Sequence, residues 1–178
     1  MVGIVIAIVA ILAVSAIAAI FLDLSSYIDT GSQTLNSTGA ATGRALVVYD
    51  PGLSGSPKSA AHQVAVDLQA KGYDVDLAGV RSNVATNTSG YDIIVAGGPM
   101  YFGKATSSIE GFIRSLTPQQ QTRLGVFVTT GSSTYVNSDF SSLQQQLESA
   151  TSHQVTIQMV LDGNVTQNCA NLASNMMP

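Results

Sequence analysis

Three short stretches of this 178-residue chain are rich in glycines, hydroxyls and aromatics, and the first of them suits holding an anion. The first is Ala45 to Ser59, Ala-Leu-Val-Val-Tyr-Asp-Pro-Gly-Leu-Ser-Gly-Ser-Pro-Lys-Ser. Leu46 to Tyr49 reads as a short buried strand, the Asp/Pro/Gly/Ser run as a loop, and Ser56-Pro57 as the start of a helix. Such a loop is an anion cradle. The first-turn N–H groups have no intrahelical partner and the helix dipole is positive there, so a phosphate is the natural guest. The second stretch, Gly97-Gly98-Pro99-Met100-Tyr101-Phe102-Gly103-Lys104, follows the strand Asp92 to Ala96, and the third, Thr130-Gly131-Ser132-Ser133-Thr134-Tyr135, follows Leu124 to Thr129.

Elsewhere, chemistry-bearing residues are sparse. One cysteine, Cys169, rules out an intramolecular disulfide framework and any multi-cysteine metal centre, and two distant histidines, His62 and His153, give a metal little to build on. No Ser/His/Asp or Cys/His arrangement stands at suggestive spacing, so no catalytic residue is expected. Seven Lys+Arg, thinly spread, in a chain of net charge −4 leave no nucleic-acid footprint. The spacing Gly52, Pro57, Lys58, Ser59 approaches the P-loop pattern, but Pro57 replaces its second glycine and supplies neither the N–H nor the permissive dihedrals that the phosphates need. Lys58 and Lys104 read as solvated charges.

The elements that position the three stretches alternate. Ser56 reads as N-cap with Pro57 at the first helical position, Ala61, Val64, Ala65 and Leu68 form an apolar stripe, and Gly72 falls at C′. Tyr73 to Val80 reads as a half-buried strand, and Arg81 to Gly90 as a short or degenerate helix. Ser107 and Glu110 read as a capping box before the face Ile109, Phe112, Ile113 and Leu116. After the third stretch, Phe140, Leu143 and Leu147 mark a fourth helix, His153 to Leu161 a fifth strand and Thr166 to Met176 a terminal helix. This βα alternation predicts an α/β sandwich around a five-stranded parallel sheet within one domain, 44–178. Ligands of such sheets bind outside the carboxyl ends of the strands, where the three stretches would converge.

In these stretches the chain resembles the flavodoxin family, over roughly Arg44 to Ala150. Tyr49 to Ser59 is similar to the family's phosphate loop, Tyr91 to Lys104 to its second flavin loop, and Thr129 to Tyr135 to its third. The resemblance implies a flavodoxin-like three-layer fold and an FMN cofactor. It implies Ser54, Gly55 and Ser56 around the phosphate, Gly98, Pro99, Met100, Tyr101, Phe102 and Gly103 beside the ring, and Thr130, Gly131 and Tyr135 on its other flank, with Tyr135 as a stacking partner. An electron carrier serving a redox partner protein is then expected, more than an enzyme with its own acid and base. A cofactor-free flavodoxin-like structural or interaction module at the membrane or cell surface is the alternative, because Pro57 and Gly52 stand where the family carries hydroxyls.

Ahead of the domain, Gly3 to Leu22 holds neither charge nor proline. As a helix it is about 30 Å long, the thickness of a bilayer's hydrocarbon core. Residues 1–23 therefore predict a single-pass membrane anchor in the lipid bilayer, with a cleaved signal peptide and a filament-shaft helix as rivals. Residues 24–43, rich in Ser, Thr, Gly, Asn and Gln, predict a flexible tether. Asp23 and Asp29 after the helix, and sequons at Asn36, Asn87 and Asn164, lean toward an extracytoplasmic domain.

Overall fold

The computed structural model describes residues 29–117, 121–131, 155–161 and 164–178, with positions 4, 7–9, 11, 141, 144, 145, 148 and 149. Continuous apolar runs build the centre of the sheet: Ala45 to Val48 and Ile93 to Ala96 have no exposed surface, as strands covered on both faces require. Five strands run parallel in the order β3-β2-β4-β6-β7: β2 is Gly43–Tyr49, β3 Tyr73–Gly79, β4 Ile93–Tyr101, β6 Arg123–Thr130 and β7 Val155–Leu161. The register places Val47 opposite both Leu77 and Val95, and Val95 opposite Gly125.

The sheet has seven strands rather than the expected five. Both additions are antiparallel: β1, Ser32–Leu35, pairs with β3, and the two-residue β5, Lys104–Ala105, pairs with β4. β1 lies within the stretch that composition alone reads as a tether. Thr34 donates its hydroxyl proton to Asp76 Oδ1 at 2.6 Å, the Ser37 N–H donates to Asp74 at 2.8 Å, and Leu35 packs against the core.

Side-chain alternation along the strands divides the core between two faces. On one face Val47, Val75 and Val95 meet α1, Ser56–Ala70, and α3, Val165–Asn175, through Val64, Leu68, Cys169 and Leu172. On the other, Leu46, Val48, Ile94 and Val126 meet Ile109, Phe112 and Ile113 of α2, Ser107–Ser115. Between β3 and β4 stands a single 3-10 turn, Val84–Thr86, where the sequence lacks an apolar stripe. Of the expected fourth helix, Phe140, Leu143 and Leu147 lie outside the described residues, while 141, 144, 145, 148 and 149 are helical.

Two helix starts differ from expectation. Gly55, in the left-handed region, is the N-cap of α1 rather than Ser56, and Thr106 rather than Ser107 precedes α2; the Thr106 hydroxyl bonds the Ser108 hydroxyl at 3.0 Å rather than capping a helix N–H. Gly97 and Gly98 also lie within β4 rather than in a loop. Each allows a close approach: a Cβ at 97 would collide with the Phe127 ring, and one at 98 would stand 2.9 Å from Ile109 Cγ1.

The N-terminal expectation is corrected. Among the described residues no helix is long and apolar enough to cross a membrane, so the single-pass placement and the extracytoplasmic lean attached to it are set aside. Most of 1–28 lies outside the described residues; positions 4, 7–9 and 11 are helical and exposed.

Candidate functional site

The chain leaves β2, enters α1 and returns as β3 on one side of β2, then crosses to β4 on the other. The point where the order reverses lies between the carboxyl ends of β2 and β4, the place where open parallel sheets hold ligands. A groove of about 310 Å³ opens there. Leu53, Ser54 and Ser56 line it from the loop after β2, Pro99, Met100 and Tyr101 from the end of β4, and Thr129, Thr130 and Gly131 from the end of β6.

The first loop is shaped by Asp50, which is only 2% exposed. Its Oδ1 accepts the Gly52 N–H at 3.0 Å, and its Oδ2 accepts a short hydrogen bond from the Ser108 hydroxyl at the start of α2. The Asp50 N–H donates to the Gly97 carbonyl at 2.8 Å, so one residue joins the first loop to both β4 and α2. Gly52, at φ 56, brings the loop against β4: a Cβ there would stand 2.8 Å from Pro99 Cγ and 3.3 Å from the Tyr101 hydroxyl. Gly55, at φ 72, turns the chain into α1 with open space above it.

Among the described residues no charged side chain lines the groove. An anion placed there would meet hydroxyls, backbone N–H groups and the positive end of α1, where the Ser56 N–H donates to Ser54 Oγ at 3.3 Å. Lys58 turns away: its ammonium donates to Asp29 Oδ2 at 2.8 Å and lies 5.6 Å from the centre of the Tyr49 ring. The hydrogen bond to Asp29 holds the Lys58 pKa above its ordinary value. Burial, reinforced by Asp29, raises that of Tyr49.

Of the residues singled out by sequence, Ser54, Ser56, Pro99, Met100, Tyr101, Thr130 and Gly131 come together around the groove. Gly55 stands beside it as the helix cap. Gly98 lies beneath it, packed against Ile109 and the Asp50 side chain. Phe102 and Gly103 do not line it: they form the tip of the β4–β5 hairpin, both at positive φ, with Phe102 99% exposed. Tyr135 lies outside the described residues. Leu53 was not anticipated, because an apolar loop residue offers no hydroxyl to single it out. Nor was the supporting pair Asp50 and Ser108. The described residues hold no group of three or more His, Cys, Asp or Glu able to bind a metal.

Solved structures share this arrangement. A flavodoxin from the domain Archaea matches with TM-score 0.56 at 19% identity, covering 75% of this chain and 95% of its own. The two-electron reduced flavodoxin of Megasphaera elsdenii matches with TM-score 0.55 at 20% identity, covering 75% and 97%. The fold is flavodoxin-like. An NADH:FMN oxidoreductase in its apo form shares the flavodoxin-like fold with TM-score 0.58 at 14% identity, over 76% of this chain and 88% of that one. No protein-family model matches the sequence, and no curated protein does.

Proposed function

We propose that this flavodoxin-like protein binds FMN in the groove between β2 and β4 and acts as an electron carrier. The observation that carries the reading is the placement of the α1 start, flanked by Ser54 and Ser56, at the switch point of the sheet and facing Met100, Tyr101 and Thr130 across the groove. The donor set fits a phosphate ester: hydroxyls and backbone N–H groups provide directed hydrogen bonds, and the α1 dipole supplies positive potential. Open space above Gly55 leaves that helix start accessible. Pro99, Met100 and Tyr101 would hold one side of the flavin ring system, with Thr130 and Gly131 on its other flank. Similarity to structures described as flavodoxins and as an NADH:FMN oxidoreductase supports FMN over other phosphate esters.

When bound, the flavin supplies the electron-transfer chemistry, and the chain binds and orients it. A protein redox partner would approach the mouth of the groove, where Leu53 is 62% exposed and Phe102 fully so. Flavin fluorescence titration tests the reading. FMN binds near one equivalent with quenching, and replacing Ser54 and Ser56 together by Ala weakens it about tenfold or more while riboflavin changes little, since each lost hydroxyl removes about 1 kcal/mol. A folded, colourless protein that takes up no added FMN overturns it.

A further inference from the structure

The residues ahead of β2 do more than add a strand to the sheet. From Asp29 onward the chain runs as a strap beside β3 and fastens to α1 near both of its ends. The Lys58 ammonium, in the first turn, donates to Asp29 Oδ2 at 2.8 Å, and the Gln69 side-chain amide, in the last turn, donates to the Asn36 carbonyl at 2.7 Å. Between them the Gly79 N–H donates to the Gly31 carbonyl at 2.9 Å. The seat for this strap is built into β3. Gly79 ends that strand without a positive φ, yet a Cβ there would collide with the Asp29 carbonyl oxygen, so the glycine serves the approach of the strap.

Lys58 adds an independent observation. It is the third residue of α1, and a cation there faces the positive end of the helix dipole, with no acidic residue in the first turn to offset it. Its charge therefore calls for an anion from outside the helix. Asp29 provides one, its side chain only 13% exposed against 57% for Lys58. A phosphate at the α1 start would provide another: Ser56, which lines the groove at the switch point, is in the same turn, and a lysine's flexible stem lets its ammonium move between neighbouring acceptors. An opening of about 230 Å³ beside the pair, lined also by Tyr49, His62 and Gln33, leaves room for that movement.

We propose that the Asp29–Lys58 pair is an autoinhibitory contact: the seated strap withholds Lys58 from the phosphate site, and release of Asp29 lets the ammonium turn to a bound phosphate ester and tighten its hold. This control presupposes the flavin reading above and places it with the segment ahead of the parallel sheet. It is a modest brake. Binding loses only what the pair itself is worth, and for a partly exposed pair that is up to about fivefold in affinity.

Fluorescence titration of the whole protein with FMN and with riboflavin tests it, using the parent, Asp29→Asn, Lys58→Gln and the variant carrying both changes. Asp29→Asn tightens FMN about fivefold, leaves riboflavin unchanged and makes FMN binding more sensitive to salt, because a further charge now meets the phosphate. Asp29→Ser, which also removes the carboxylate, gives the same gain. In the Lys58→Gln background Asp29→Asn brings none. An unchanged FMN affinity in both Asp29 variants, an equal gain for riboflavin, or a gain that persists without Lys58 overturns the contact and leaves the flavin reading standing. No FMN uptake by the parent or by either Asp29 variant overturns both.

Discussion

At the scale of single residues, Asp50 carries more of the site than any residue lining it. Both its oxygens are engaged, by the Gly52 N–H and the Ser108 hydroxyl, and it is almost wholly buried. Asp50→Ala leaves both donors without their acceptor and is expected to cost about 2 kcal/mol of stability, measured by urea unfolding. Phe102 presents the opposite case. It holds a left-handed φ of 52 with its side chain in solvent, followed by Gly103 at φ 76, the pattern of a type I′ hairpin turn. Phe102→Asn creates the Asn-Gly pair that such turns favour, and should raise stability by about 1 kcal/mol on the same urea measurement. Ser54 and Ser56 were legible in the sequence because small hydroxyl residues just before a proline at a helix start have few other uses. The role of Asp50 was not, since the hydroxyl that defines it lies 58 residues further along.

At the scale of elements, a polar cluster joins β1 to β3 beside the packing of Leu35 against the core. Asp76 accepts hydrogen bonds from Thr34 at 2.6 Å, Tyr91 at 2.7 Å and Arg44 at 3.0 Å, and the Arg44 guanidinium lies 4.6 Å from the centre of the Tyr91 ring. Burial pushes the Asp76 pKa up, but these hydrogen bonds outweigh it and the net shift is downward. Its contribution is present above the ordinary carboxyl value of 3.8 and is lost as pH falls through the lowered one. Burial, then the Asp76 carboxylate, raises the Tyr91 pKa from 10.0 to about 12. The folded form retains that proton, so its contribution is full below pH 10 and lost as pH rises toward 12. Unfolding midpoints measured across pH should therefore fall at both extremes, and Tyr91→Phe should shrink the alkaline fall while Asp76→Asn shrinks the acid one. The strand itself escaped sequence reading because Ser-Gln-Thr-Leu shows no alternation of apolar and polar residues. The degenerate crossover helix was legible, since 81–90 offers no stripe to bury. The Gly97-Gly98 pair misled, because the glycines that suggested a loop are there to admit Phe127 and Ile109 against a strand.

At the scale of the whole molecule, the two faces of the sheet are legible from periodicity. The parallel core needed only the βα alternation and the runs Leu46 to Val48 and Ile93 to Ala96. What periodicity does not give is how closely the strands press on one another's side chains. Gly97→Ala tests that: the added methyl meets the fully buried Phe127 ring, and overpacking of this kind is expected to cost about 1–3 kcal/mol in urea unfolding.

The short strand β1 also decides how the sheet ends. Without it, β3 would present a row of unpaired backbone groups beside Val75 and Leu77, a template on which a strand from another molecule could pair. With it, the outermost strand is four residues long, Ser32, Gln33 and Thr34 are exposed, and nothing about it invites continuation. Replacing Thr34 and Leu35 by proline should free β3 and turn a monodisperse protein into one whose light scattering grows with concentration. The segment that composition presents as a spacer thus works as a solubility device, keeping each copy of the protein from becoming the next strand of its neighbour.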